Sequence, residues 1–183
     1  MARKHSTPLA LPDDLITALL EGRLKQTARA LNERDLAFWQ DEDDDGWPIY
    51  EDDFGDWFRA PAPYGPRGSH LWVRESYRLT EDEKVEYRHQ VDPNRETPND
   101  DWLPVVGMPE AASRIRLKIV KYRFVPGVQN LKSRDLRDLG FEGDGLPELR
   151  EAFKAYWNRR YRKSFQKYDQ NPAIWVARLK VIS

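Results

Sequence analysis

The sequence contains no cysteine and only three histidines among its 183 residues. Without thiols the chain can form no disulfide, no cysteine nucleophile and no cysteine-based zinc or iron–sulfur site. The histidines, His5, His70 and His89, are not spaced as metal ligands, so we expect neither a metal site nor a cofactor. No run approaches the roughly 18 apolar residues of a membrane span, and the basic segment 1–8 lacks the apolar stretch of a secretory signal. We therefore expect a cytoplasmic protein with no membrane partner.

The chain is polar, yet it is rich in aromatic residues. Charged residues make up 33% of it, and the mean hydropathy is −0.84. Seven Trp, eight Tyr and seven Phe nevertheless argue against disorder, because disordered chains are poor in aromatic residues. The length is typical of one domain with its own core, so we predict a single domain over 1–183.

The charges are distributed unevenly along the chain, although the net charge is only −1. Residues 114–183 contain 17 Lys and Arg against 7 Asp and Glu, whereas residues 1–113 contain 13 against 24. Eleven of these acids lie between Glu33 and Asp56. This asymmetry predicts an anionic partner for the C-terminal half. The alternative is a solvated basic helix face and an acidic surface loop.

Apolar periodicity and turn residues predict an α+β protein with a small mixed sheet or barrel. The predicted helices cover 12–21, 133–139 and 147–162; the predicted strands cover 26–31 (or a continuation of the first helix), 70–76, 84–88, 115–125 and 173–182. We expect 84–88 to form a hairpin with 70–76. Within 115–125 the apolar phase slips at Val120, which predicts a bulge or a strong bend. Residues 32–68 are predicted to be a long acidic, aromatic insertion with little regular structure.

Two motifs have both a chemical and a simpler interpretation. Asp41, Asp43, Asp45 and Gly46 resemble the start of a calcium loop, but Asp52 replaces the final Glu, so a solvated acidic loop is favoured. The end of the last predicted helix carries basic and aromatic side chains: Tyr156, Trp157, Arg159, Arg160, Tyr161, Arg162 and Lys163. Basic and aromatic side chains of this kind bind nucleic acid, or they form the solvent-exposed face of an amphipathic helix.

Four separated segments have sequences typical of one family. They read LEGRLKQTAR at 20–29, PYGPRGSHLWVRES at 63–76, MPEAASRI at 108–115 and NPAIWV at 171–176. In this order they resemble the ASCH domain of the PUA-like superfamily, in the branch common in phage and prophage genomes. The resemblance spans about residues 12–182. It implies a PUA-like α+β fold: a small mixed β-barrel with flanking helices, interrupted here by the long acidic insertion.

The resemblance also implies a pocket for a nucleobase or a short stretch of RNA. On this basis we expect the nucleic-acid-binding residues to be Arg29, Tyr64, Trp72, Arg74, Ser113 and Arg114. Each has a structural alternative, since Trp72 would often lie in the core and Ser113 would often cap a loop. The partner is then RNA or a modified nucleoside.

Some relatives are enzymes that hydrolyse the amide of N4-acetylcytidine with a Lys, a Thr three residues later and a Glu on a following strand. Thr27 and Glu75 match these positions, but the lysine position is Leu24, and Lys25 lies beside it. The catalytic hypothesis is therefore Lys25, Thr27 and Glu75, with the carboxylate moving the proton of the Thr hydroxyl. The main hypothesis is a binding module for RNA or a modified nucleoside. The alternatives are this amidohydrolase and a phage-encoded factor whose acidic insertion contacts a protein.

Overall fold

The computed structural model describes residues 6–31, 39–44, 46–51, 54–59, 62–90 and 102–183. His5, Asp45, Asp52 and parts of the predicted insertion lie outside these residues, and with them the test of the calcium-loop pattern. The strands are β1 (Ser6–Ala10), β2 (Gln26–Ala30), β3 (Trp39–Glu42), β4 (Pro48–Glu51), β5 (Trp57–Arg59), β6 (His70–Arg74), β7 (Tyr77–Leu79), β8 (Val85–Tyr87), β9 (Arg116–Val125) and β10 (Ile174–Val181). The α-helices are α1 (Asp13–Leu20), α2 (Ser133–Asp138) and α3 (Leu146–Arg160).

Five strands form the central sheet in the order β1-β6-β9-β10-β2. β1 runs parallel to β6, and the other neighbours are antiparallel, so the predicted mixed sheet of an α+β fold is confirmed. No pairing in the described part of the chain joins β1 to β2, and the predicted closed barrel is therefore an open sheet. Both edges are strands of five residues, which leaves little backbone for a closing ladder.

Two sequence-based expectations about strands are wrong. Segment 84–88 does not pair with β6, because β8 pairs with β7 in a separate hairpin, and β6 lies between β1 and β9. The chain leaves the central sheet after Arg74, and the side chain of the next residue, Glu75, is buried. The insertion is also more regular than expected, since β3, β4 and β5 form an antiparallel sheet. Gly46, with φ +78°, allows its first turn, and a Cβ there would lie 2.8 Å from the Cβ of Arg67.

β9 contains the irregularity that the sequence predicts. Lys121 lies opposite Arg178, but Ile119 lies opposite Leu179, so Val120 is an extra residue without a partner in β10. Such a bulge shifts the side-chain alternation by one residue. Consequently Lys118 and Lys121, three positions apart, project from the same face of the sheet.

The core beside α3 is aromatic. Leu149, Phe153 and Trp157 are at most 1% exposed, at the spacing predicted for this helix. Phe153 contacts the rings of Phe141, Tyr156, Trp157 and Tyr168, with centroid distances of 5.3 to 6.4 Å. The predicted bounds of α1, α2 and α3 are confirmed to within two residues. No helix in the described ranges is long and apolar enough to cross a membrane.

We predict that Phe153→Ala lowers the free energy of unfolding by about 3–5 kcal/mol, because it removes the ring at the centre of this cluster. Urea-induced unfolding followed by circular dichroism measures the loss. Glu151→Ala, at an exposed position of the same helix, is the control and should change the free energy by less than about 0.5 kcal/mol. A loss below about 1 kcal/mol for Phe153→Ala would contradict the packing described.

Candidate nucleic-acid interface

The pairing register assigns the side chains of the central sheet to two faces of opposite character. Residues directly opposite each other in neighbouring antiparallel strands share a face. The apolar face contains Leu71, Leu117, Ile119, Leu179, Ala177 and Tyr122. The other side, which we call the cationic face, contains Arg116, Lys118, Lys121, Arg178 and Lys180.

Like charges lie directly opposite each other on the cationic face. Lys118 is paired in register with Lys180, and Lys121 with Arg178, and all four side chains are exposed. None of the four has an ion pair or a side-chain hydrogen bond among the described residues. Like charges in such positions destabilise a sheet. This arrangement is therefore a cost to the fold that a bound anion would relieve.

Three hollows extend the positive charge beyond the strands. A cavity of about 630 Å³ is lined by Lys118, Lys180, Arg67 and a single acid, Asp44. A second, of about 300 Å³, includes Lys121, Arg178 and Arg134. The third, of about 510 Å³, shares Arg134 with the second and adds Arg23, Lys25 and Arg137. Acids line these two hollows as well: Asp135 and Asp138 the second, and Asp138 and Glu142 the third, where Lys25 and Arg23 form ion pairs with them. Two neighbouring arginines are neutralised by ion pairs. The Arg123 Nη2 lies 2.6 Å from the Asp135 Oδ1, and the Arg116 Nη1 lies 2.7 Å from the Glu110 Oε1.

Trp72 and Arg74 project from the same side of the sheet as the cationic face. Trp72 lies opposite Arg116, and the Arg74 guanidinium stacks over the Trp72 ring at 4.6 Å. The Arg74 Nε is buried and has no hydrogen-bond partner within the described ranges. Buried donors without an acceptor are rare in native proteins.

Glu75 and Arg114 form a buried pair, and Ser113 lies beside Arg114 in the chain. Glu75 is 1% exposed, and Arg114 donates to both carboxylate oxygens, Nε to Oε1 at 2.9 Å and Nη2 to Oε2 at 2.7 Å. The Ser113 hydroxyl lies 2.8 Å from the carbonyl oxygen of Val73. The Arg114 guanidinium stacks 4.3 Å from the ring of Tyr87, and burial, with a smaller effect of the Glu75 charge, raises the pKa of this phenol.

Lys25 and Thr27 lie apart from this group. The Lys25 ammonium is half exposed and 4.0 Å from the Asp138 carboxylate of α2. Thr27 is 5% exposed, lies opposite Ala177 on the apolar face and makes no side-chain hydrogen bond in the described part of the chain. No contact in that part joins Lys25, Thr27 and Glu75. Their catalytic role stays a prediction.

Arg29 and Tyr64 form a further contact at the β2 edge of the sheet. The Arg29 Nη1 donates to the Pro63 carbonyl at 3.3 Å, and the guanidinium lies 5.8 Å from the ring centroid of Tyr64. Tyr64 is only 3% exposed, so its ring is packed rather than open for stacking. The residues predicted to bind nucleic acid thus fall into three places: Arg29 with Tyr64, Trp72 with Arg74, and Ser113 with Arg114.

The sequence alone does not show that Lys118, Lys121, Arg178 and Lys180 share one face of the sheet. One signal for them is present, since Arg116 and Lys118 alternate with apolar residues, as do Arg178 and Lys180. Lys121 breaks that alternation, and only the bulge at Val120 shows that it belongs to the same face.

No family model matches the sequence, and no curated protein matches it. Among solved structures, protein EF3133 from Enterococcus faecalis V583, described as family-model DUF984, matches with a TM-score of 0.45 and 8% sequence identity. The match covers 100% of this chain and 82% of that one. Similarity at this level supports no conclusion about ligand or activity. The resemblance to the ASCH domain therefore depends on the four sequence segments.

We predict that Arg114→Ala lowers the free energy of unfolding by about 3 kcal/mol, because it leaves the buried Glu75 carboxylate without a cation. The double variant Glu75→Gln/Arg114→Ala should lose less than the sum of its single changes, by about 1–2 kcal/mol. Denaturant unfolding of the four proteins measures this coupling. Additive losses would show that the two side chains do not form the buried pair described.

Proposed function

We propose that this protein is a nucleic-acid-binding module and that the cationic face holds the phosphate backbone of an RNA strand. The observation that carries the proposal is that like charges lie opposite each other in the strand register, Lys118 with Lys180 and Lys121 with Arg178, without a counterion among the described residues. The proposal agrees with the binding module predicted from the sequence.

A polyanion fits this surface better than a small anion does. The four side chains span two rows of the sheet, and Arg134 continues the charge onto α2. One small anion would neutralise the charges of one row and leave the charges of the other row without a counterion. A chain of phosphates would neutralise both and release the counterions that free phosphates hold, which is the main electrostatic source of nucleic-acid affinity.

The mixture of side chains also favours phosphate. Arg178, Arg134 and Arg137 offer planar guanidinium groups, which bind phosphate oxygens in pairs. Trp72 and Arg74 project from the same side of the sheet, and the Arg74 guanidinium adds a further positive charge beside the cationic face. Contacts of this kind position a strand, whereas base edges or stacking supply any sequence preference.

We predict that Lys118→Gln/Lys180→Gln, and separately Lys121→Gln/Arg178→Gln, weaken binding of a fluorescein-labelled oligouridylate. Because each lost phosphate contact removes about 0.7 from the slope of log affinity against log salt, each double variant should lower that slope by about 1.4. Fluorescence anisotropy over a salt series measures it. Lys84→Gln/Arg88→Gln removes the same charge at the β7–β8 hairpin, away from the cationic face, and should leave the slope unchanged.

Equal slopes for all four proteins would contradict the proposal. So would competition in which polyglutamate displaces the oligouridylate as well as unlabelled RNA does, because the surface would then recognise negative charge on a polypeptide. Circular dichroism spectra of the variants check that the sheet is intact.

A further inference from the structure

Arg160, at the end of α3, is surrounded by phenols. Its Nη1 donates to the Tyr156 hydroxyl at 2.6 Å, and its Nη2 lies 3.5 Å from the Tyr64 hydroxyl. The ring of Tyr161 lies 5.8 Å away. No carboxylate in the part of the chain that the structure describes forms an ion pair with Arg160. A half-buried guanidinium normally has an anionic partner, because desolvating the charge is costly.

Arg160 also lines an open groove. The groove has a volume of about 470 Å³ and lies between the β1–α1 junction, the 102–107 loop and the end of α3. Its lining consists of Ala10, Leu11, Pro12, Val105, Tyr156, Arg159 and Arg160. Two cations therefore stand at one end of a groove whose remaining walls are aliphatic or aromatic. The volume is within the range of small-molecule sites.

Internal partners do not account for these two cations. The C-terminal end of a helix attracts positive charge, but neither guanidinium donates to a backbone carbonyl among the described residues. The acids nearest in sequence to the groove are engaged elsewhere, since Asp13 lies 3.8 Å from Arg88 and Asp14 accepts from the Leu15 N–H. Burial lowers the pKa of Arg160, but the phenols of Tyr156, Tyr64 and Tyr161 outweigh this effect and raise it. Arg160 is thus a permanent cation.

We propose that this groove binds a small molecule that carries one phosphate or carboxylate group on a flat or apolar body. The anionic group pairs with Arg160 and Arg159, and the body lies against Leu11, Pro12 and Val105. The groove shares no lining residue with the hollows of the cationic face, so this site is separate from the one proposed for RNA.

Three probes separate the two parts of the site: phenyl phosphate carries anion and ring, inorganic phosphate only the anion, and benzyl alcohol only the ring. Isothermal titration calorimetry and the amide and arginine side-chain NMR signals report binding. Phenyl phosphate should bind at least about tenfold more tightly than either fragment and shift the Arg160 Nε–H signal. Benzoate in place of phenyl phosphate shows whether a carboxylate is preferred.

Two matched variants test the location without touching Arg160. Val105→Trp fills the groove and should weaken phenyl phosphate binding at least about tenfold. Val106→Trp makes the same change at the adjacent position, which is 77% exposed and outside the groove, and should leave binding unchanged. Lys118→Gln/Lys180→Gln should also leave it unchanged, although it weakens RNA binding.

The proposal is overturned if phenyl phosphate binds no more tightly than its fragments, or if Val105→Trp binds it like the unmodified protein. It is overturned as well if Lys118→Gln/Lys180→Gln abolishes phenyl phosphate binding, because the ligand would then occupy the cationic face. Arg160→Lys, which keeps the charge but loses the planar fork, should weaken binding further than Val106→Trp does.

Discussion

The pairing of β9 with β10 is the constraint on which the rest of the structure depends. These are the longest strands described, and they form the centre of the sheet, with β6 on one side and β2 on the other. The extra residue at Val120 keeps Ile119 and Tyr122 buried although they are three positions apart. The same residue turns Lys118 and Lys121 to the opposite side. One bulge therefore serves both the hydrophobic core and the concentration of positive charge.

Local signals in the sequence were sufficient to predict where the helices and the central strands begin and end. The apolar spacing of α3 and the left-handed Gly22 after α1 act within a few residues, and so they predict element bounds well. Strand partners depend on distant segments. β1, with Pro8 and few apolar residues, gives no strong pattern, and it is held by parallel pairing to β6 more than sixty residues later. The hairpin expected for β6 was wrong because proximity in sequence is only a tendency in strand pairing.

In the candidate interface, too, the sequence predicts some features and only the structure shows the others. Charge counts predicted that the C-terminal half is basic, but the opposition of Lys118 to Lys180 requires the register of β9 and β10. The family resemblance singled out Glu75 as a catalytic candidate and Arg114 as a nucleic-acid-binding candidate, and the structure joins the two side chains, 39 residues apart in sequence, in one ion pair. The family resemblance did not indicate that both oxygens of the Glu75 carboxylate accept hydrogen bonds from Arg114. This bidentate pair connects the end of β6 to the segment before β9.

Tyr64 connects the groove at Arg160 with the sheet that carries the cationic face. Arg29 lies over its ring, and Arg160 approaches its hydroxyl, so one buried phenol separates two guanidinium groups. Arg29 belongs to β2 and lies opposite Trp175 in β10, the strand that also carries Arg178 and Lys180. The Tyr161 hydroxyl accepts from the Ala30 N–H in the same edge strand. These packed contacts join the end of α3 to the edge strand β2 on the side of the sheet opposite the cationic face, because Arg29 lies opposite Trp175 whereas Arg178 and Lys180 project the other way. The groove at Arg160 and the cationic face are therefore two separate surfaces of one sheet.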